Sequence, residues 1–219
     1  MRIQNRLIVL VLMMSAIGAI DPTEATAEAT PAAVTFPISP DASQCKVQPR
    51  PLADFERLLL STPQSDAAAP ASSTPFVVPD GEPADAIAVS GVTATLIELF
   101  ACYHAGDPRR FHALFTDEGL QRAFPPGMVT QEFVDEFFAA SPVPEDDPAL
   151  RATILAIEDV VVLIDGRVGA LLRSDEPEFG GLQAVYYIFA KVGDRYLVDD
   201  VIHGLPTDDS TAEASTPTT

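Results

Sequence analysis

Two of the three histidines, one of the two cysteines and an adjacent arginine pair fall within residues 99–118, LFACYHAGDPRRFHALFTDE. Side chains of these types could ligate a metal, supply a thiolate nucleophile or hold an anion. The spacing argues against each. His104 and His112 are eight apart, which is neither the four-residue step of a helix-face ligand pair nor a zinc pattern, and His203 lies far along the chain; no metal site is expected. Neither cysteine sits in a CxxC pair. Arg109 and Arg110 follow Asp107-Pro108, in a first helical turn, where cations gain nothing from the helix dipole. They are expected to be solvated or paired with nearby acids. There is no nucleophile elbow, phosphate loop or dinucleotide fingerprint, so no cofactor is expected.

The candidates for chemistry lie later in the chain. If Asp159 faces the core with Ile157, Val161, Leu163, Val168, Ala170 and Leu172, it is a carboxylate in apolar surroundings. Its pKa would rise, and it could act as a general acid or base. The alternative is a strand-edge acid, or one bonded to a backbone amide or tyrosine; a register slip of one residue would expose it. Asp200, placed opposite Tyr187, forms a second polar island, read either as acid–base machinery or as a hydrogen bond that fixes the core. Tyr103, at the end of a long helix, could reach the same space. The candidate catalytic residues are therefore Asp159, Asp200 and Tyr187, and the candidate binding residues are these three with Tyr103.

These side chains need a scaffold. Val89, Val92, Leu96, Leu99, Phe100 and Tyr103 recur at helical spacing, predicting a helix from near Pro83 to Gly106. Gly106 ends it, and Asp107 with Pro108 starts another, carrying Phe111, Leu114 and Phe115 inward. Thr116 and Thr130 are further cap candidates. The second opens a segment that packs Phe133, Val134, Phe137 and Phe138. Residues 99–118 are thus first a corner between helices.

The period then changes. Residues 153–175 hold two β-rich runs around Asp165-Gly166, a hairpin signal. A two-residue turn would pair Ile164 with Arg167, Leu163 with Val168, Val161 with Ala170 and Asp159 with Leu172, and set Glu158 against Arg173. Residues 182–204 repeat the plan around Gly193-Asp194, pairing Tyr187 with Asp200, Tyr186 with Val201 and Ile188 with Asp199. Helices followed by a four-stranded antiparallel meander make an α+β domain, with helices covering one face of the sheet.

The chain has 219 residues and a net charge of −19, which disfavours nucleic acid and anionic lipid. Residues 1–27 read as a signal peptide: a basic start, then the apolar run Leu7–Ile20, shorter than the roughly 20 residues of a membrane span. An uncleaved anchor is the other reading, and no later segment is read as a span. The protein is therefore expected to be exported, either secreted or held at the cell envelope. Residues 28–79 read as a Pro/Ser/Ala-rich stalk with one short helical arm, residues 80–204 as the domain, and residues 205–219 as a disordered tail. In an oxidising compartment Cys45 and Cys102 would either bridge or remain free thiols. A bridge would staple the arm to the long helix.

Residues 101–124 (ACYHAGDPRRFHALFTDEGLQRAF), 159–172 (DVVVLIDGRVGALL) and 185–201 (VYYIFAKVGDRYLVDDV) together resemble the nuclear transport factor 2-like superfamily, in particular its SnoaL-like branch. The resemblance spans about residues 80–204. It implies helices in the concave face of a curved antiparallel sheet, an α+β cone with an apolar pocket, often dimeric through the sheet. Such relatives include ketosteroid isomerases, cyclases, dehydratases and non-catalytic binding modules. Fold does not choose among these. The expectation is an exported domain binding a small apolar ligand. The alternatives are a lyase or isomerase and a cell-surface structural module.

Overall fold

The computed structural model describes residues 35–60, 78–124 and 127–203. The expected signal peptide, most of the linker after residue 60 and the expected tail lie outside them.

The element order is α1 (Leu52–Phe55, prolonged by a π-helical turn, Glu56–Leu60), β1 (Gly81–Pro83), α2 (Ala86–His104), α3 (Pro108–Phe111, prolonged by a 3-10 turn, His112–Leu114), α4 (Asp117–Ala123), α5 (Gln131–Phe133, prolonged by a π-helical turn, Val134–Phe138), then β2 (Thr153–Leu163), β3 (Val168–Glu176), β4 (Gly181–Val192) and β5 (Arg195–Ile202). The five strands form one antiparallel sheet in sequence order. The mixed α+β class is as expected. The extra strand, β1, is three residues at the sheet edge, ending in a proline that cannot donate to a ladder.

Local chemistry accounts for the helix starts. The carboxylates of Asp85 and Asp107 and the hydroxyls of Thr116 and Thr130 each accept the backbone N–H three residues on. α2 is apolar and long enough to cross a bilayer by length and composition, which corrects the reading that no later segment qualifies. Here its inner face is core: Val92, Leu96 and Leu99 are buried, Thr95 donates to the Tyr196 carbonyl at 2.6 Å, and Gly91 rests on the Tyr196 ring.

The arm that the sequence placed in the stalk shares this core. Phe55 is fully buried and stacks on Phe138 at 3.9 Å. Ile38 exchanges backbone hydrogen bonds of 2.9 and 2.8 Å with Ile154 on β2. Cys45 and Cys102 form a disulfide across 57 residues; the chain-entropy account gives about 4 kcal/mol for such a closure. Around it Glu98 accepts the N–H groups of Lys46 and Val47 at 3.0 and 2.6 Å.

Alternate residues of β3 serve two clusters. Val168, Ala170 and Leu172 join the helices in the main core, while Leu171 faces the other way with Leu163, Tyr186 and Ile188.

Candidate functional site

The arginines and His104 of residues 99–118 act as clamps. Arg109 donates to the Arg50 carbonyl at 2.9 Å and Arg110 to the Cys45 carbonyl at 3.1 Å. The Arg50 guanidinium reaches Asp117 at 2.6 Å and the Phe115 carbonyl at 2.8 Å. His104, buried, donates from Nδ1 to the Pro40 carbonyl at 2.7 Å. His203 follows β5, exposed. Among the described residues no three His, Cys, Asp or Glu side chains are placed to hold a metal ion.

Asp159 does not face the core. The first hairpin turns through three residues, not two: Leu163 N–H bonds the Arg167 carbonyl at 2.8 Å, and Gly166 takes the positive φ of 83°. Pairing therefore runs Val162–Val168 and Val161–Gly169, one residue off the expected register. A bulge follows between Glu158 and Val161, where Asp159 adopts φ 49° and is exposed. A short polar side chain tolerates that left-handed backbone better than a β-branched one. Glu158 opposes Leu171 instead of Arg173, yet reaches Arg173 diagonally at 2.8 Å.

Asp200 does not meet Tyr187 either. The second hairpin pairs as expected from its two-residue turn, Val192 with Arg195, up to Phe189 with Val198. A bulge at Asp199 then shifts it, so that Ile188 opposes Asp200 and Tyr187 opposes Val201. The buried acid is Asp199. It accepts from Thr116 Oγ1 at 2.7 Å, Arg122 at 2.9 Å and Arg167 at 2.7 Å. Burial works to raise its pKa; those three hydrogen bonds and the Arg122 charge outweigh burial and hold the carboxyl below its ordinary value. With every oxygen engaged, Asp199 ties α4 and the β2–β3 turn to β5.

Two of the four predicted site residues do come together. Tyr103 and Tyr187 line one cavity of about 150 Å³, with Phe111, Phe179 and Glu176. Tyr103 donates to the Glu178 carboxylate, and Ser174 donates to Glu176 at 2.5 Å. Burial, then the carboxylates nearby, hold both phenols well above the usual tyrosine range. They keep their protons, so they can donate, accept or pack but do not serve as phenolate bases.

Tyr103 and Phe111 also border a larger groove of about 510 Å³. The α2–α3 corner forms one wall, with Gly106 (φ 58°) packed so closely on Val143 that a Cβ there would fall 1.9 Å from the Val143 carbonyl oxygen. The π-helical turn supplies the other wall through Phe137 and Glu136, and Ala140 and Val143 continue it. The lining is mostly apolar. Phe137 and Val143 are exposed at 40% and 76%, which is unusual for large apolar side chains grouped around one hollow.

His112 belongs to this groove, and the sequence reading missed it by placing the residue on an exposed helix side. It is only 6% exposed, ringed by Phe55, Phe111, Phe115, Phe124, Phe137 and Phe138. Burial pushes its pKa down to about 4, against the Pro108 hydrogen bond and with the Arg50 charge. The usable signal was the density of Phe around it in residues 111–138.

Comparison with protein-family models, curated proteins and solved structures found no match to this chain.

Proposed function

We propose that this chain is an exported domain that binds a small apolar ligand in the groove between the α2–α3 corner and the π-helical turn. The observation that carries the reading is the contiguous apolar lining of Tyr103, Phe111, Phe137 and Val143 around about 510 Å³, a volume suited to a drug-sized molecule. The disulfide agrees with an oxidising compartment. The two bulged strands agree with a sheet that curls around the helices as a cone, as the resemblance to nuclear transport factor 2-like proteins implies.

A lyase or isomerase is the second reading. It draws on Tyr103 and Tyr187 as protonated donors beside Glu176 in the adjoining cavity. The binding reading is preferred because Tyr103 already donates to Glu178, and because Asp159 and Asp200 both stand apart from that cavity.

Native mass spectrometry of the full protein purified from its own host tests this. A retained small molecule that Ala140→Trp excludes, and that is recovered chemically unchanged after incubation, supports the binding domain. Conversion of that molecule supports the enzyme. Equal retention by the Ala140→Trp variant would place binding elsewhere.

A further inference from the structure

Resting on that reading, we infer that the groove is built for an uncharged ligand whose apolar body carries one hydroxyl, and that the hydroxyl donates to Nε2 of His112. Three observations on the ring lead there. His112 lies nine-tenths buried among phenyl rings and lines the groove. Its Nδ1 stands 2.7 Å from the Pro108 carbonyl oxygen, an acceptor only. Nδ1 therefore carries the proton, and Nε2 presents a lone pair. No protein donor among the described residues meets that lone pair, and Nε2 is absent from the atoms sealed away without a partner, so it stays open to an incoming group.

His104 shows the contrast. Its Nδ1 likewise donates to a proline carbonyl, but its Nε2 is sealed in the interior, where no ligand could arrive.

The surroundings narrow the class. Asp107 and Glu136 also line the groove, and Asp107 is engaged with Arg110. Among the described residues no lysine or arginine lines it, so a carboxylate or phosphate would enter against repulsion without a counter-charge. A ligand that only accepts hydrogen bonds would leave Nε2 desolvated and unpaired, which is the costly outcome. A hydroxyl on an aromatic or alicyclic body satisfies Nε2 while the body covers Phe111 and Phe137. Apolar area supplies the affinity, and the imidazole selects among ligands of similar shape.

The test uses three probes of one shape: 2-naphthol, 2-methoxynaphthalene and 2-naphthoate. Each is titrated into the full-length protein at pH 7, with affinities from calorimetry and the ¹⁵N shifts of the imidazoles followed by NMR. We expect 2-naphthol to bind roughly tenfold tighter than the methyl ether, about one hydrogen bond's worth. 2-Naphthoate should bind weakest of the three. The His112 Nε2 resonance should move with 2-naphthol and stay in place with the ether. In His112→Phe, the naphthol and the ether should bind alike. The native-protein comparison stands on its own should that variant fold poorly. Equal affinity of naphthol and ether for the native protein, or an unmoved Nε2 resonance, overturns the role of His112 while leaving the groove as a binding site. Failure of all three probes to bind overturns both.

Discussion

Asp199 and His112 are both polar side chains buried at the edge of the helical layer, and they are finished in opposite ways. Asp199 has every acceptor filled, by Thr116, Arg122 and Arg167. His112 uses one nitrogen on its own helix and leaves the other without a partner among the described residues, on a ring that lines the groove. A buried polar group whose partners all come from within the fold holds that fold together. One left without a partner beside a hollow has room for a ligand's group. Both are unusual for their depth, so depth alone would not have separated structure from function.

The largest expected effect is on the finished side. Asp199→Ala strips three donors of their acceptor. A sealed ion pair would cost about 3–5 kcal/mol to break, but Arg122 and Arg167 keep partial contact with solvent and can rehydrate. We expect a loss of about 2–3 kcal/mol in urea unfolding, with 2-naphthol affinity unchanged in the folded protein. A loss of ligand affinity at constant stability would break the contrast.

Acid should act on the unfinished side first. In the fold His112 titrates near 4, against 6.5 for an ordinary histidine. The unfolded chain therefore takes up the proton first. The full contribution is present above pH 6.5, falls away as the pH drops towards 4, and is flat below that. The loss amounts to about 3 kcal/mol. His104, also held low by burial, adds in the same direction. Asp199 has the depressed carboxylate's behaviour, and its contribution is lost only below the ordinary value of 3.8. Urea midpoints measured from pH 7.5 to 3 should show the histidine slope shrink in His112→Phe and persist in Asp199→Ala.

Gly119 sharpens the finished side. A Cβ there would lie 2.5 Å from the Val198 carbonyl oxygen, where α4 meets β5 beside Asp199. Gly119→Ala should destabilise by about 2 kcal/mol through overpacking, read from the thermal midpoint, with the affinities for naphthol and its ether unchanged. The smallest effect is expected of Tyr103→Phe. It removes an exposed hydrogen bond to Glu178 and costs about 1 kcal/mol or less, but keeps the ring at the groove wall. Native-like probe affinity is expected.

Capping residues and hydrophobic period announced the helices correctly, because both signals are local. The hairpins tested something less local. Gly193-Asp194 turned in two residues as read, whereas Asp165-Gly166 closed a three-residue loop, with only the glycine at positive φ. Bulges then left Asp159 outward and turned Asp199 inward. The partners that receive Asp199, Arg122 on α4 and Arg167 in the turn, come from elsewhere in the chain, and nothing within the strand itself announces them. Tyr103 and Tyr187 meet because the period of a long helix is local and because the second bulge lies in β5, leaving the alternation of β4 as read. His112 was hidden because its cage is drawn from three segments, including Phe55 in an arm that reads as stalk.

The most direct measurement locates a bound probe. In full-length protein saturated with 2-naphthol, intermolecular NOEs should run from the naphthalene protons to Phe111, Phe137 and the Val143 methyls. NOEs to Leu171 and Ile188 on the opposite face of the sheet instead, or none to the groove at saturation, would contradict the account.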